Sequence, residues 1–241
     1  MLNKLLEYVL PYIIGVYHNM EKLSKKEKEV QTEFIQSVKT HPSNKKPIVI
    51  AMIGLVGSGK STVASMIAKQ LPATIISGDT IRILLRNKKE KYEKTRAIAE
   101  NVMMYVLEQN GNVVLDSDFI DPKKRASLRE KVRKVNGKLV FVRTYADIDV
   151  VSQRIRTQKH AGDSFFGGAS SASTAQDSGP DVKFREMWRR TPHHYKWINE
   201  DGGKWVLKKL PFSIFTTIDT SGSEKTVESV SKAVYKLKKC N

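Results

Sequence analysis

The most specific chemical pattern in the chain is Gly54-Leu-Val-Gly-Ser-Gly-Lys-Ser-Thr62. Gly54, Gly59, Lys60 and Ser61 satisfy G-x-x-x-x-G-K-[ST], and Val56, Gly57, Ser58 and Thr62 complete the loop. Glycine is needed where the backbone must approach a phosphate closely or take up positive φ, since a Cβ obstructs both. Successive N–H groups of such a loop converge on an anion, and the helix that follows adds the positive end of its dipole. Lys60 is placed to neutralise the β- and γ-phosphates of a nucleoside triphosphate, and the Ser61 hydroxyl to hold Mg²⁺.

A phosphate loop by itself does not separate kinases from hydrolysing ATPases. Gly78-Asp79-x-x-Arg82 adds the discriminating pair. A carboxylate facing Lys60 can accept a proton from a substrate hydroxyl. Arg82, about one helical turn on, would lie on the same side and clamp an acceptor. Asp79 could equally cap the helix that follows, and the two roles are compatible. Asp116 ends the apolar run Val113-Val-Leu115 and has the place of a magnesium-linked carboxylate, with Asp118 as the competing candidate. The adjacent pair His193-His194 lacks a third ligand at usable spacing, and with Trp188, Tyr195 and Trp197 nearby it reads as a packed turn or a pocket wall.

These residues need a frame. Pro47–Ile53 is a short, β-branched apolar run of the kind that makes a buried parallel strand. Behind the loop, Val63, Met66, Ile67 and Leu71 fall on one helical face. Further strands are expected at Ala73–Ser77, Val113–Ser117, Lys138–Arg143 and Phe212–Asp219. Between them lie a long helical stretch from Asp79 to about Gln109, a basic helix opened by Asp121-Pro122, and a helix from Asp147 to Gln158. A last helix starts at the Ser221–Glu224 capping box and turns Val227, Val230, Val234 and Leu237 inward. Strands alternating with helices imply a three-layer α/β/α fold on a five-stranded parallel sheet, with ligands at its carboxyl edge.

Residues 1–46 read as an N-terminal helical extension and linker, and 47–241 as the nucleotide-binding domain with a lid around 154–190. The extension is expected to pack on the body or on a second subunit, which leaves an oligomer open. Its apolar run from Leu5 to Tyr17, broken by Glu7, Pro11 and Gly15, is too short to span a bilayer. The segment Ala161–Pro180 is small and nearly uncharged, and it is flanked by Arg154, Arg156, Arg185, Arg189 and Arg190. A flap bracketed by arginines suits closure over a transferring phosphoryl group.

The charge balance is strongly basic: 42 Lys and Arg against 25 Asp and Glu, a formal +17. Such a field attracts nucleotides, anionic substrates and nucleic acid alike. The basic helix from Lys123 to Lys134 keeps nucleic-acid contact open, without a reading motif to support it. The lone cysteine, Cys240, excludes a disulfide framework or thiolate cluster and fits a cytoplasmic compartment.

Gly54–Thr62, Gly78-Asp79-x-x-Arg82, Asp116-Ser-Asp118 with Pro122 and Arg125, and Arg154/Arg156 together resemble the P-loop kinase group of AAA-type ATP-binding phosphotransferases. Within it the polynucleotide-kinase and zeta-toxin-like enzymes are most similar. Adenylylsulfate kinase is similar in the glycine loop and in Gly78-Asp79-x-x-Arg82, although the chain lacks that family's substrate-binding aromatic and glycine-lysine lid patterns. The resemblance implies sheet order 2-3-1-4-5 and transfer of phosphate from ATP, with Mg²⁺, to a hydroxyl. It assigns phosphate binding to Lys60 and the loop, Mg²⁺ to Ser61 and Asp116, the base to Asp79, and acceptor or phosphoryl contacts to Arg82, Arg154 and Arg156.

Overall fold

A computed structural model describes residues 23–158 and 180–239. The described residues open with α1 (Lys25–Ser37), β1 (Ile48–Ile53), α2 (Lys60–Gln70), β2 (Ala73–Ser77), α3 (Gly78–Asn87) and α4 (Thr95–Glu108). They continue with β3 (Asn112–Asp116), α5 (Pro122–Lys134), β4 (Lys138–Tyr145), α6 (Ile148–Thr157) and α7 (Pro180–His194). They close with β5 (Tyr195–Ile198), β6 (Lys204–Leu207), β7 (Thr216–Asp219) and α8 (Ser223–Lys239). The main sheet runs β2-β3-β1-β4-β7 with every pairing parallel. This is the expected order, with a hairpin inserted ahead of the final strand.

The layers follow from β1, which is buried along its whole length. Because side chains alternate across a strand, Val49, Ala51 and Ile53 face one way and Ile48, Ile50 and Met52 the other. The first set joins Ile81, Leu85, Ile98, Val102, Leu128 and Val132, from α3, α4 and α5. The second joins Val63, Ile67, Val230, Val234 and Leu237, from α2 and α8. A third cluster around Leu55, Val151, Ile155, Met187 and Tyr195 seats α6, α7 and the hairpin beside the loop.

Four expectations from the sequence need correction. The stretch from Asp79 to Gln109 is two helices, because Lys89 takes φ 59° and the lysine-rich run Lys88–Lys91 offers nothing to bury. The last sheet strand begins at Thr216 and not at Phe212, whose ring lies edge-on to Phe141 at 5.7 Å and beneath the Arg125 guanidinium at 3.6 Å. Val227 points to solvent, and Thr226 and Ala233 take the inward positions beside Val230. The β5–β6 hairpin was not anticipated, although Asp-Gly-Gly between two tryptophan-bearing apolar runs signals one. Gly203 at its turn has φ 88°, and a Cβ there would lie 2.2 Å from the Trp197 ring.

In α1, a reciprocal Ser24–Glu27 capping box starts the helix, and Val30 and Phe34 are buried in the same cluster as β1. The linker behind it is fastened by Thr74 Oγ1 to Lys39 O at 2.8 Å and Ser43 N to Asn110 O at 3.0 Å. Residues 1–22, including the Leu5–Tyr17 run, lie outside the described residues, as do residues 159–179, which hold nearly all of the expected flap. Phe34→Ala should therefore lower unfolding free energy by about 3–5 kcal/mol, the range for emptying a buried phenylalanine site. Denaturant melts read this directly; a loss below about 1 kcal/mol would mean that α1 does not share the core.

Candidate active site

The phosphate loop is shaped by the missing Cβ atoms of its glycines. Gly57 and Gly59 have φ 81° and 79°, and Gly59 is the N-cap of α2. A Cβ on Gly54 would lie 2.4 Å from Thr144 Oγ1 and 2.5 Å from Ser58 Oγ, so no side chain fits there. The first intrahelical bond of α2 runs from Val63 N to Gly59 O, which leaves the amides of Lys60, Ser61 and Thr62 ahead of it directed out of the helix end. Lys60 Nζ folds back over the loop and donates to Gly54 O and Leu55 O, both at 2.9 Å. Burial pushes this ammonium's pKa below the usual lysine value, against the opposing charges of Asp118, Asp116 and Asp79.

Two loop residues expected to contact the ligand are engaged within the protein. The Gly54 amide donates to Asp118 Oδ1 at 3.3 Å. Ser58 is fully buried, its hydroxyl 2.9 Å from Thr144 Oγ1 and its amide bonded to Leu55 O. Both residues shape the loop through these contacts. Val56, Gly57, Gly59, Lys60, Ser61 and Thr62 do line the cavity above it, whose volume is about 1190 Å³.

The carboxylates divide by environment. Asp116, at the end of β3, lines the cavity together with Ser61, whose hydroxyl is close enough to act on its ionisation. Burial raises its pKa, with Asp79 adding to the effect, while the Ser61 hydroxyl and Lys60 oppose it. A hydroxyl and one carboxylate, with cavity space for water and phosphate oxygens, is the sparse oxygen donor set that suits Mg²⁺. Among the described residues no three His, Cys, Asp or Glu side chains converge as an all-protein metal cage would require. Asp118 is spent elsewhere: it also accepts Ile120 N at 3.3 Å and His194 Nε2 at 3.0 Å. Burial alone would raise the Asp118 pKa, but the His194 bond and charge, Lys60 and the Gly54 amide outweigh it and hold the carboxyl below the usual range.

Asp79 and Arg82 stand together on the first turns of α3, with Arg82 Nη1 donating to Asp79 Oδ1 at 2.7 Å. The capping role left open for Asp79 belongs to Ser77, whose hydroxyl accepts Thr80 N. Both Asp79 and Arg82 line the cavity. Of the two arginines on α6, Arg154 lines it as well and donates to Thr220 Oγ1 at 3.1 Å and to Thr220 O. Thr220 Oγ1 in turn lies 3.0 Å from Ser58 O, so Arg154 is braced on the loop. Arg156 departs from expectation: it lies outside the cavity lining, with its guanidinium 5.0 Å from the Phe184 ring, because α6 turns it toward α7.

The sequence reading missed cations that the fold brings in. Lys124 from α5 reaches the cavity, as does Lys183 of α7, beside the flanking Arg185, Arg189 and Arg190 that the sequence did point to. Burial lowers the Lys124 pKa, and Arg190 adds to the effect. Glu186 bridges Arg189 and Arg190, accepting from both. Eight cationic side chains thus line the cavity against Asp79, Asp116, Asp118 and Glu186. Three more basic side chains of this helix are used within the protein: Arg125 is buried and donates to Phe119 O and Ile120 O, Arg129 lies over Phe141, and Lys131 pairs with Glu100. Part of the charge run that suggested nucleic acid is thus engaged within the protein, while Lys123, Arg133 and Lys134 stay exposed.

A family model described as an AAA domain matches residues 49–177, just over half of the chain. The chain belongs to this AAA-domain family. Over 124 residues it is 31% identical to an adenylyl-sulfate kinase of Thermodesulfovibrio yellowstonii, a match covering 47% of this chain and 60% of that one. A second adenylyl-sulfate kinase, from Prochlorococcus marinus, is 29% identical over 64% of this chain and 80% of its own length. The crystal structure of a putative kinase from Chloroflexus aurantiacus superposes with a TM-score of 0.56 at 15% identity, covering 81% of this chain and 98% of that one. The fold of this AAA domain is that of the P-loop kinases. No helix of its described residues is long and apolar enough to cross a membrane.

A carboxylate whose pKa is raised by burial opposes folding at neutral pH, because the unfolded chain holds its charge more easily. Asp116→Asn should therefore raise the melting temperature of the ligand-free protein at pH 7. The gain should shrink as pH falls from the raised folded value through the ordinary one near 3.8, below which wild type is neutral in both states. Mg²⁺ with ATP should stabilise wild type and stabilise Asp116→Asn less. A melting temperature lowered at pH 7 would contradict this assignment.

Proposed function

We propose that the protein is an ATP- and Mg²⁺-dependent phosphotransferase that moves the γ-phosphoryl group to a hydroxyl of a small, anionic, nucleotide-like acceptor. What carries the reading is that one cavity holds the phosphate loop, the Ser61–Asp116 pair and the Asp79–Arg82 pair. The similarity to adenylyl-sulfate kinases and the shared kinase fold support it.

In this reading Lys60 and the amides at the start of α2 bind the triphosphate tail. Lys60 exchanges its two carbonyl partners for phosphate oxygens, which offer a full negative charge in place of dipoles. Ser61 and Asp116 would hold Mg²⁺, which would supply positive charge to offset that of the phosphates. Asp79 accepts the acceptor's hydroxyl proton, and Arg82 keeps its carboxylate aimed until the acceptor enters. Charge on the transferring phosphoryl group needs fixed cations more than covalent help. Arg154 is braced for that role, and the arginines of α7 add to it.

The two-to-one excess of cations in the cavity favours an acceptor that itself bears phosphate or sulfate. A reducing, cytoplasmic setting suits a chain with a single cysteine.

Lys60→Ala should lose ATP-dependent transfer. Asp79→Asn should keep Mg·ATP affinity while turnover falls by about 100-fold or more, the usual loss for a missing general base. The measurement is radiolabelled γ-phosphate transfer to a panel of hydroxyl compounds with and without a phosphate or sulfate group. Unimpaired turnover in Asp79→Asn would remove the proposed base, and transfer only to uncharged acceptors would remove the proposed substrate class.

A further inference from the structure

Asp118 has no role in the chemistry assigned so far, yet it is among the most completely enclosed charged groups of the site. Its side chain is 4% exposed and that of His194 is 1%. One carboxylate oxygen takes the amides of Gly54 and Ile120, and the other takes His194 Nε2 at 3.0 Å, with Arg190 Nη1 at 3.9 Å. Asp118 is held ionised and so can only accept, which places the ring hydrogen on Nε2. Three elements therefore meet on one carboxylate: the first glycine of the phosphate loop, the end of β3, and the last turn of the helix that carries the cavity arginines.

We propose that His194 is a positioning residue: through Asp118 it fixes α7, and with it Arg190, against the phosphate loop. This rests on the reading that the loop binds a nucleotide and that α7 faces the transferred group. The main chain of His194 is held separately, its carbonyl accepting Arg143 Nη2 at 2.9 Å and Lys208 N at 2.8 Å. Nδ1 is buried with no hydrogen-bond partner, which leaves Asp118 as the ring's hydrogen-bond partner among the described residues. Arg190 precedes His194 by four residues, so both side chains leave the same helical face toward Asp118. An apolar residue would fill this volume without the cost of burying a polar pair. A hydrogen bond is satisfied only over a narrow range of distance and angle, so it sets the helix in one register. Displacing a positioning group by about 1 Å can cost a hundredfold in rate without touching the substrate.

The experiment compares His194→Ala, His194→Gln, Arg190→Ala and the two double variants in the full chain. The glutamine amide reaches as far as Nε2 and keeps a donor for Asp118. His194→Ala should lower kcat by about 10- to 100-fold with Mg·ATP affinity little changed. His194→Gln should restore most of kcat, and in the Arg190→Ala background His194→Ala should add almost nothing. Wild-type kcat in His194→Ala, equal losses in Ala and Gln, or losses that multiply with Arg190→Ala would overturn the proposal. Should His194→Ala not fold, His194→Gln decides: folded and active supports it, unfolded or inactive rejects it. If wild type binds Mg·ATP but transfers to no acceptor, the kinase reading fails on its own. Amide hydrogen exchange over 180–194 then tests the coupling: a non-hydrolysable ATP analogue should slow it in wild type and His194→Gln but not in His194→Ala. Equal slowing in all three would reject the link.

Discussion

The arrangement depends on a half-buried ammonium group at the carboxyl end of the central strand. Lys60 reaches back across its own loop and rests on two carbonyls, Gly54 O and Leu55 O. Carbonyl dipoles are a weaker partner for a partly desolvated cation than phosphate oxygens are, so the free protein holds a positive group ready for exchange. The glycines at 57 and 59 let the chain fold tightly enough to bring those carbonyls round. Gly54 leaves room for Thr144 and Ser58 to pack directly beneath.

The parallel sheet explains why the other groups gather there. With five strands running the same way, every carboxyl end opens on one edge. β1 delivers the loop, β2 leads into Asp79, β3 ends at Asp116, β4 supplies Thr144 and β7 leads to Thr220. No strand contributes more than one or two polar groups, and each group is anchored by a core residue close behind it. This allows a site rich in like charge to sit beside two apolar core clusters. The conflict between the two is local, and it appears in the depressed Lys60 and elevated Asp116 protonation equilibria.

Much of this could be read from residue order. The strand–loop–helix context of Gly54–Thr62 made the phosphate loop plain, and alternating strands and helices made the layered sheet plain. Asp116 was placed by the apolar run before it. What could not be read depends on long separations or on helix rotation. His194 and Asp118 lie 76 residues apart and share no local pattern. Lys124 and Arg125 are neighbours, yet one faces the cavity and the other lies buried against Phe212, a difference of about 100° around a helix. Arg154 and Arg156 separate for the same reason. The hairpin did carry a local signal, Asp-Gly-Gly between Trp197 and Trp205, hidden by the expectation that helix and strand would simply alternate.

Titration calorimetry of the intact protein with ATP, in the presence and absence of Mg²⁺, is the most direct test that the loop, Lys60 and the Ser61–Asp116 pair form one nucleotide site. The account predicts uptake of one nucleotide per chain, tightened by Mg²⁺ in wild type and abolished when Lys60 is replaced by alanine. Absence of heat with folded wild type, or undiminished uptake by the alanine variant, would contradict it.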